Sequence, residues 1–311
     1  MKRGDYLSLR DLTTEQAGAI LDRADSLKAD RLGVRSLAGK SIALVFQKPS
    51  LRTRTSFDVG VRELGGHAVY LGPDEIGLGK RESVPDVARV LSQYVHAIVA
   101  RTFRQADQET LAAYAAVPVI NALSDFDHPC QGLADLQTMR EHFGKLAGLR
   151  VGYVGDGNNT ARMLLFAAGR VGLRLVLATP AGYDCEPALV ATADAEASRL
   201  GGSVRETRDP REAAEGADVI YTDTWTSMGQ ESEAERRRAV FKDYRIDASL
   251  LKLARSSAVV MHCLPAHRGE EITDDVMDGP QSIVFQQAQN RLHAQKAVLD
   301  WLVGTNEGAT A

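Results

Sequence analysis

Short apolar, β-branched runs recur along the chain, and between them apolar residues return every three to four positions. Ser41–Phe46, His67–Leu71, Ala97–Ala100 and Val117–Asn121 read as strands. Among them, Phe57, Val61 and Leu64 share one helical face, and Val84, Val87, Val90 and Leu91 share another. A second series follows: Val151–Val154, Leu173–Ala178, Val204–Thr207, Val219–Thr222, Val259–His262 and Ile283–Phe285. Leu164, Ala168 and Val171 mark one helix of this half, and Leu250, Leu251 and Ala254 another. Strands alternating with helices predict βαβ units and parallel sheets buried on both faces. The expected fold class is therefore α/β, with two doubly wound parallel-sheet domains in tandem. Gly144-Lys145-Leu146-Ala147-Gly148 reads as the end of one helix and the approach to a new strand, which places the boundary between residues 1–144 and 145–287. A last helix, Ala288–Leu302, has no strand after it, and its Leu292, Leu299 and Leu302 stripe must cover some other surface.

Composition narrows the picture. With 311 residues, 44% of them hydrophobic, the chain can supply cores without covalent staples. Its three cysteines, Cys130, Cys185 and Cys263, are widely spaced, so reduced thiols in a cytoplasmic setting are expected. Lys plus Arg is 37 and Asp plus Glu is 41, a net charge of −4, which lacks the broad basic footprint of a nucleic-acid-binding domain. There is no apolar run of about 18 residues and no apolar leader after Met1-Lys2-Arg3, so no membrane partner is expected.

Ligands of open α/β sheets bind beyond the carboxyl ends of the strands, and that is where the chemistry-bearing residues fall. Ser50-Leu51-Arg52-Thr53-Arg54 follows the first strand and opens a helix. A helix N-terminus offers free N–H groups, and guanidinium forks bind phosphate oxygens bidentately; the bland alternative is a capped helix with solvated arginines. Arg101 directly follows the third strand and is as compatible with a surface position as with the ligand crevice. His128-Pro129-Cys130-Gln131 opens the next helix, where a neutral imidazole can donate to a carbonyl oxygen and Gln131 can accept from an amide.

In the second half, Gly155-Asp156-Gly157-Asn158-Asn159-Thr160 departs from the dinucleotide fingerprint, since Thr160 replaces the third glycine. It reads as a polar small-molecule contact or a structural turn. Asp223-Thr224-Trp225-Thr226-Ser227-Met228-Gly229 follows another strand, and Asp223 can hold an ammonium with support from Ser227. The charged stretch Gln230 to Arg238 reads as a solvated helix face with no role beyond mobility. Met261-His262-Cys263-Leu264-Pro265-Ala266-His267 admits two readings. Cys263, His262 and His267 could ligate zinc, yet the four-ligand set of a structural site is missing. A strand-end loop whose thiol and carbonyls face a substrate is favoured, leaving no metal. Arg291, near the start of the last helix, could reach an anion.

Taken together, Ser-x-Arg-Thr-Arg, His-Pro-Cys-Gln, Asp-Gly-Asn-Asn, Asp-x3-Ser-Met-Gly and His-Cys-Leu-Pro resemble the ornithine carbamoyltransferase family, in order over almost the whole chain. The last three motifs separate it from aspartate carbamoyltransferases. The resemblance implies transfer of a carbamoyl group from carbamoyl phosphate to the δ-amine of L-ornithine, without a cofactor. It implies a carbamoyl phosphate domain completed by the C-terminal helix (residues 288–311), a Rossmann-like ornithine domain, and a homotrimer or multiple of trimers. Ser50, Leu51 (through its backbone), Arg52 and Thr53 match the phosphate loop, and Arg101, His128 and Gln131 the surroundings of the carbamoyl group. Asn159, Asp223, Ser227 and Met228 match the ornithine positions. Cys263 and Leu264 match residues beside the reacting groups, and Arg291 completes the carbamoyl phosphate site. On this basis Arg101, His128, Asp223 and Cys263 are the expected catalytic residues.

Two departures stand out. Leu51 replaces the usual threonine, and Gly77 falls where many relatives carry a glutamine that reaches a neighbouring subunit's carbamoyl phosphate. Lys80 or Arg81 is the candidate replacement across the interface. A putrescine acceptor fits less well, because the Asn159, Asp223, Ser227 and Met228 set suits an amino-acid head. A non-catalytic binding protein is disfavoured by Arg52, Arg101, His128, Asp223 and Cys263 standing together.

Overall fold

The computed structural model describes residues 4–226 and 231–304. The chain divides into two compact units, Met1–Gln137 with Gln289–Ala311, and Thr138–Ala288. Both changeovers fall inside helices, Pro129–Phe143 and Val284–Val303, rather than in the glycine-bounded turn at 144–148.

The first unit is built on strands β1 (Ser41–Phe46), β2 (His67–Leu71), β3 (Ala97–Arg101) and β4 (Val119–Leu123). They form a parallel sheet in the order β2-β1-β3-β4. The second unit holds β5 (Arg150–Val154), β6 (Arg174–Ala178), β7 (Ser203–Thr207), β8 (Val219–Thr222) and β9 (Val259–His262), parallel in the order β7-β6-β5-β8-β9. Each order doubles back at its first strand, so the crevices open between β1 and β3 and between β5 and β8. The fold class is the expected one: α/β, with two doubly wound parallel sheets.

Burial explains the near-continuous apolar runs: Ile42 to Phe46 and Ala97 to Ala100 are fully buried. Two of the strand readings differ from the structure by more than one end residue. The fourth strand starts at Val119 rather than Val117, because Pro118 has no N–H for the ladder and takes part only through its carbonyl, which accepts from Ile98 N at 2.9 Å. Ile283–Phe285 is not a strand. Ser282 makes one isolated bridge to Val260, Ile283 N donates to Val260 O at 3.0 Å, and the chain then enters a 20-residue helix at Val284.

That helix carries its unit-1 part against helix Leu51–Glu63. A Cβ on Gly60 would stand 3.2 Å from Lys296 Cγ, so the absent side chain permits the close approach. Lys296, fully buried, spans Glu63 at 3.0 Å and the Arg31 carbonyl at 2.6 Å. Arg23 pairs with Asp300 at 2.7 Å on the same helix. No helix among the described residues is long and apolar enough to cross a membrane.

Candidate active site

In the first unit, Ser50 caps helix Leu51–Glu63, its Oγ accepting from Thr53 N at 3.3 Å. Leu51 is 78% exposed, so it is through its backbone that it can serve the helix terminus. Thr53 is buried, and its Oγ1 accepts from two arginines: Arg101 Nη1 at 3.4 Å and Arg291 Nη2 at 3.0 Å. Arg101 is the last residue of β3, at the switch point, and is itself buried. Arg291 also donates to Gln131 Oε1 at 2.8 Å, to Gln295 Oε1 at 3.1 Å and lies 3.5 Å from His128 Nε2. Gln295 continues to Ser56 at 2.7 Å, and Gln131 to Asp135 at 2.7 Å, so the arginine is braced on both flanks. Residues 53, 101, 128, 131 and 291 thus converge although 238 positions separate Thr53 from Arg291.

Electrostatics sharpen this cluster. His128 is buried, and its pKa is pushed well below the ordinary histidine value, first by burial and then by Arg291, Arg101, Lys48 and Arg52. The ring is neutral at pH 7 and keeps one N–H to donate. Its Nδ1 is buried and meets no hydrogen-bond partner among the described residues. The peptide before it is fixed by buried Asp127, which accepts from His128 N at 2.7 Å, Ser8 Oγ at 2.6 Å and Leu9 N at 2.9 Å. Lys48 is a cation the motif reading passed over. Buried, 5.1 Å from the Phe103 ring centroid, it has its ammonium pKa lowered to about 8 by burial and by the Arg101 charge. Arg54, one of the two arginines of the motif, instead covers the Tyr70 ring at 3.6 Å.

The loop aligned with the cross-subunit glutamine is positioned by Gln47, which donates to Leu78 O at 3.2 Å and accepts from Phe103 N at 2.7 Å. Gly77 closes the short helix Pro73–Ile76 in the left-handed conformation (φ 51°), where a Cβ would lie 2.7 Å from that of Arg81. Lys80 and Arg81 are exposed beside it, and Arg81 donates to Glu75 O at 3.0 Å.

In the second unit, the loops after β5, β8 and β9 converge. Asn158 caps helix Asn159–Val171 with its Oδ1 and gives its Nδ2 to Asp223 Oδ2 at 3.0 Å. Thr160 Oγ1 donates to the same oxygen at 2.9 Å, and Cys263 Sγ donates to Asp223 Oδ1 at 3.1 Å. The turn therefore positions Asp223 through Asn158 and Thr160, while Asn159 is the first helical residue and half-buried. Ser227 and Met228 lie outside the described residues. Gly157 is required bare, because a Cβ there would stand 2.5 Å from the backbone of Asp184.

A second network holds the Cys263 loop. Leu264 N donates to His262 Nδ1 at 2.9 Å, so Nε2 carries the proton and donates to Glu271 Oε1 at 3.0 Å. Glu271 also accepts from His267 N at 2.6 Å, and both His262 and Glu271 are sealed from solvent. Leu264 is the one non-glycine residue with positive φ (57°) among the described residues, and the following peptide to Pro265 is cis. Asp223, His262 and Cys263 bring three potential metal-ligand atoms within 4.8 Å. Both nitrogens of His262 are already engaged, which favours the substrate-facing reading of this loop over zinc.

The charged stretch through Arg238 is not a uniformly solvated face. Arg237 is buried: it reaches Asp156 at 2.7 Å and Trp225 O at 2.8 Å, pairs with Glu233 at 3.1 Å, and lies over the Tyr183 ring at 5.0 Å. It anchors helix Ala234–Phe241 to the Gly-Asp-Gly turn. The remaining thiols are inert: Cys130 and Cys185 are buried, with pKa values pushed up to about 12.

Comparison with known proteins agrees with this division of labour. Residues 4–141 match the aspartate/ornithine carbamoyltransferase carbamoyl-P binding domain, and residues 147–302 the Asp/Orn binding domain of the same family. A protein of Thermococcus kodakarensis named ornithine carbamoyltransferase is 51% identical over 303 residues, 96% of each chain. One of Pyrococcus furiosus, named ornithine carbamoyltransferase, anabolic, is 51% identical over 303 residues, again 96% of each. The solved ornithine carbamoyltransferase from Pyrococcus furiosus superimposes with a TM-score of 0.93 over 96% of each chain at 51% identity.

Proposed function

The chain belongs to the aspartate/ornithine carbamoyltransferase family, and on that footing we propose that it carries the carbamoyl group of carbamoyl phosphate to the δ-amine of L-ornithine. The products are L-citrulline and phosphate, and the name of the Pyrococcus furiosus relative supports a role in arginine synthesis. The observation that carries the reading is the convergence of Arg101, Arg291, Thr53, Gln131 and neutral His128.

Each unit contributes what its chemistry allows. In the first, the capped N-terminus at Ser50, with the backbone of Leu51, Arg52 and Thr53, holds the phosphate, and Arg291 completes its charge balance. Arg101 and His128 donate to the carbamoyl oxygen, and Gln131 accepts from the carbamoyl NH2. Attack by the amine lone pair on the carbamoyl carbon builds negative charge on that oxygen. Donors fixed beforehand by Thr53 and Asp127 stabilise it without reorganising. The bond to phosphate then breaks, the leaving oxygen keeps the electron pair, and the proton shed by the amine passes to the released phosphate.

In the second unit, Asp223 selects and orients the amine, with Asn159, Ser227 and Met228 as the ornithine-binding set, and Cys263 and Leu264 border the reacting groups. Free ornithine is mostly ammonium at pH 7, given a reference amine pKa of about 10.4. The rate therefore climbs from neutral to mildly alkaline pH as the nucleophile appears. Trimeric assembly and a cytoplasmic location belong to the same reading.

The test is ureido-product formation from carbamoyl phosphate with ornithine, putrescine or aspartate as acceptor. Citrulline from ornithine alone is expected; no product from ornithine would overturn the assignment.

A further inference from the structure

The parallel sheet of the second unit has a second functional edge. Opposite the strand ends that carry Asp223 and Cys263, the amino ends of β5, β6 and β7 line a cavity of about 890 Å³. Five basic side chains line it, Lys145, Arg150, Arg174, Arg205 and Arg255, against one acid, Asp218. Arg205 and Arg255 are balanced, by Glu212 at 2.8 Å and Asp218 at 3.0 Å. Lys145, Arg150 and Arg174 meet no carboxylate with their side chains among the described residues; Arg150 reaches only the carbonyl of Glu212, at 3.3 Å. Its Nε is buried and has no hydrogen-bond partner among the described residues.

The placement is costly. Arg150 and Arg174 open their strands as register partners, so two guanidinium side chains start from directly opposed backbone positions on one sheet face. Like charges facing each other across a ladder are destabilising. The whole chain has a net charge of −4, so the cluster is not a by-product of a basic composition. Serine hydroxyls at 203 and 257 add neutral donors to the same wall.

The geometry points to a second anion site here, for a free polyphosphate of diphosphate or triphosphate length. Guanidinium forks and an ammonium, mostly on exposed residues, line one concave surface together with two serines, a donor set suited to several phosphate oxygens at once. Cations distributed around one cavity of about 890 Å³ suit a chain of phosphates better than a single one. The site uses none of the residues assigned to carbamoyl transfer, so it stands or falls independently of that reaction.

Calorimetric titration of the full chain with sodium tripolyphosphate at physiological ionic strength tests it. Wild-type protein is expected to bind, and K145A/R174A to bind roughly tenfold or more weakly through loss of two charge-assisted contacts. The same variant keeps its kcat and its KM for carbamoyl phosphate when tripolyphosphate is absent. R52A, impaired in the phosphate loop of the first unit, retains tripolyphosphate binding. Absence of binding to the wild type, or binding lost in R52A and intact in K145A/R174A, overturns the proposal.

Discussion

Cys263 Sγ donates to Asp223 Oδ1 at 3.1 Å, while the other oxygen of Asp223 accepts from Asn158 and Thr160. The thiol proton is thus spent on holding a carboxylate, not released to make a nucleophile. C263A is therefore expected to slow kcat by about tenfold, the scale of one hydrogen bond, where loss of a covalent nucleophile would abolish turnover. D223N, which keeps the shape and removes the charge, should raise the KM for ornithine by roughly 10- to 100-fold and leave that for carbamoyl phosphate unchanged. Steady-state kinetics with each substrate varied in turn check both.

Glu271 touches neither substrate in this scheme and acts through His262 on Leu264. E271A leaves a buried imidazole N–H and the His267 amide without their acceptor, a cost of about 1–3 kcal/mol. A lower Tm is expected together with a fall in kcat. E271Q keeps an acceptor, so it should recover most of the Tm; if E271Q matches E271A in both measurements, the orienting role is wrong.

Lys48 predicts an alkaline limb. Its ammonium, held at about 8, loses its charge as pH rises through that value, and the cation field around the carbamoyl phosphate loop weakens. The kcat/KM for carbamoyl phosphate should decline above pH 8. K48R, charged throughout, should push the decline to higher pH; identical profiles would remove Lys48 from the site.

Acid stability offers a separate check. Burial, with Lys28, Lys296 and Arg31, lowers His293 to about 4, so the folded chain keeps it neutral while the unfolded chain protonates it below pH 6.5. Its contribution is full above pH 6.5 and is lost as pH falls toward 4. Asp127 works in the opposite sense, since burial raises it to about 6 and its protonated form favours the fold. Comparison with H293Q isolates the histidine: its denaturation free energy should fall less steeply between pH 6.5 and 4 than that of the wild type.

The exposed pair beside Gly77 is expected to serve a neighbouring subunit. K80A or R81A should raise the apparent KM for carbamoyl phosphate; if neither does, this loop donates nothing across an interface.

Much of this was legible in the residue order, and the exceptions have physical reasons. β1, β8 and β9 coincide with their apolar runs because both faces of a parallel strand are covered, and β2, half-buried at the sheet edge, keeps its predicted bounds as well. Ile283-Val284-Phe285 carries the same signal yet opens a helix, because three apolar residues fit either period. Arg237 looked solvated since its partner, Asp156, lies 81 residues away, and no local pattern announces a long-range ion pair. Lys48 escaped notice because a lysine before Pro49 has no period or spacing to mark it; a charged residue two places before a phosphate-type helix cap was the available clue. Glu271 was likewise hidden behind the more conspicuous histidines.

The order of the chain also sets an order of assembly. The second unit, residues 138–288, is spelled out between the two parts of the first. Arg291 and Lys296, which brace the phosphate loop and helix Leu51–Glu63, are synthesised only after every strand of the second sheet. During synthesis the unit begun first is thus the one finished last. Until the final helix arrives, Thr53 lacks one of its two arginine donors and the face around Gly60 is uncovered. A nascent chain stalled before position 291 would hold a complete ornithine-type sheet and an unfinished phosphate-type unit.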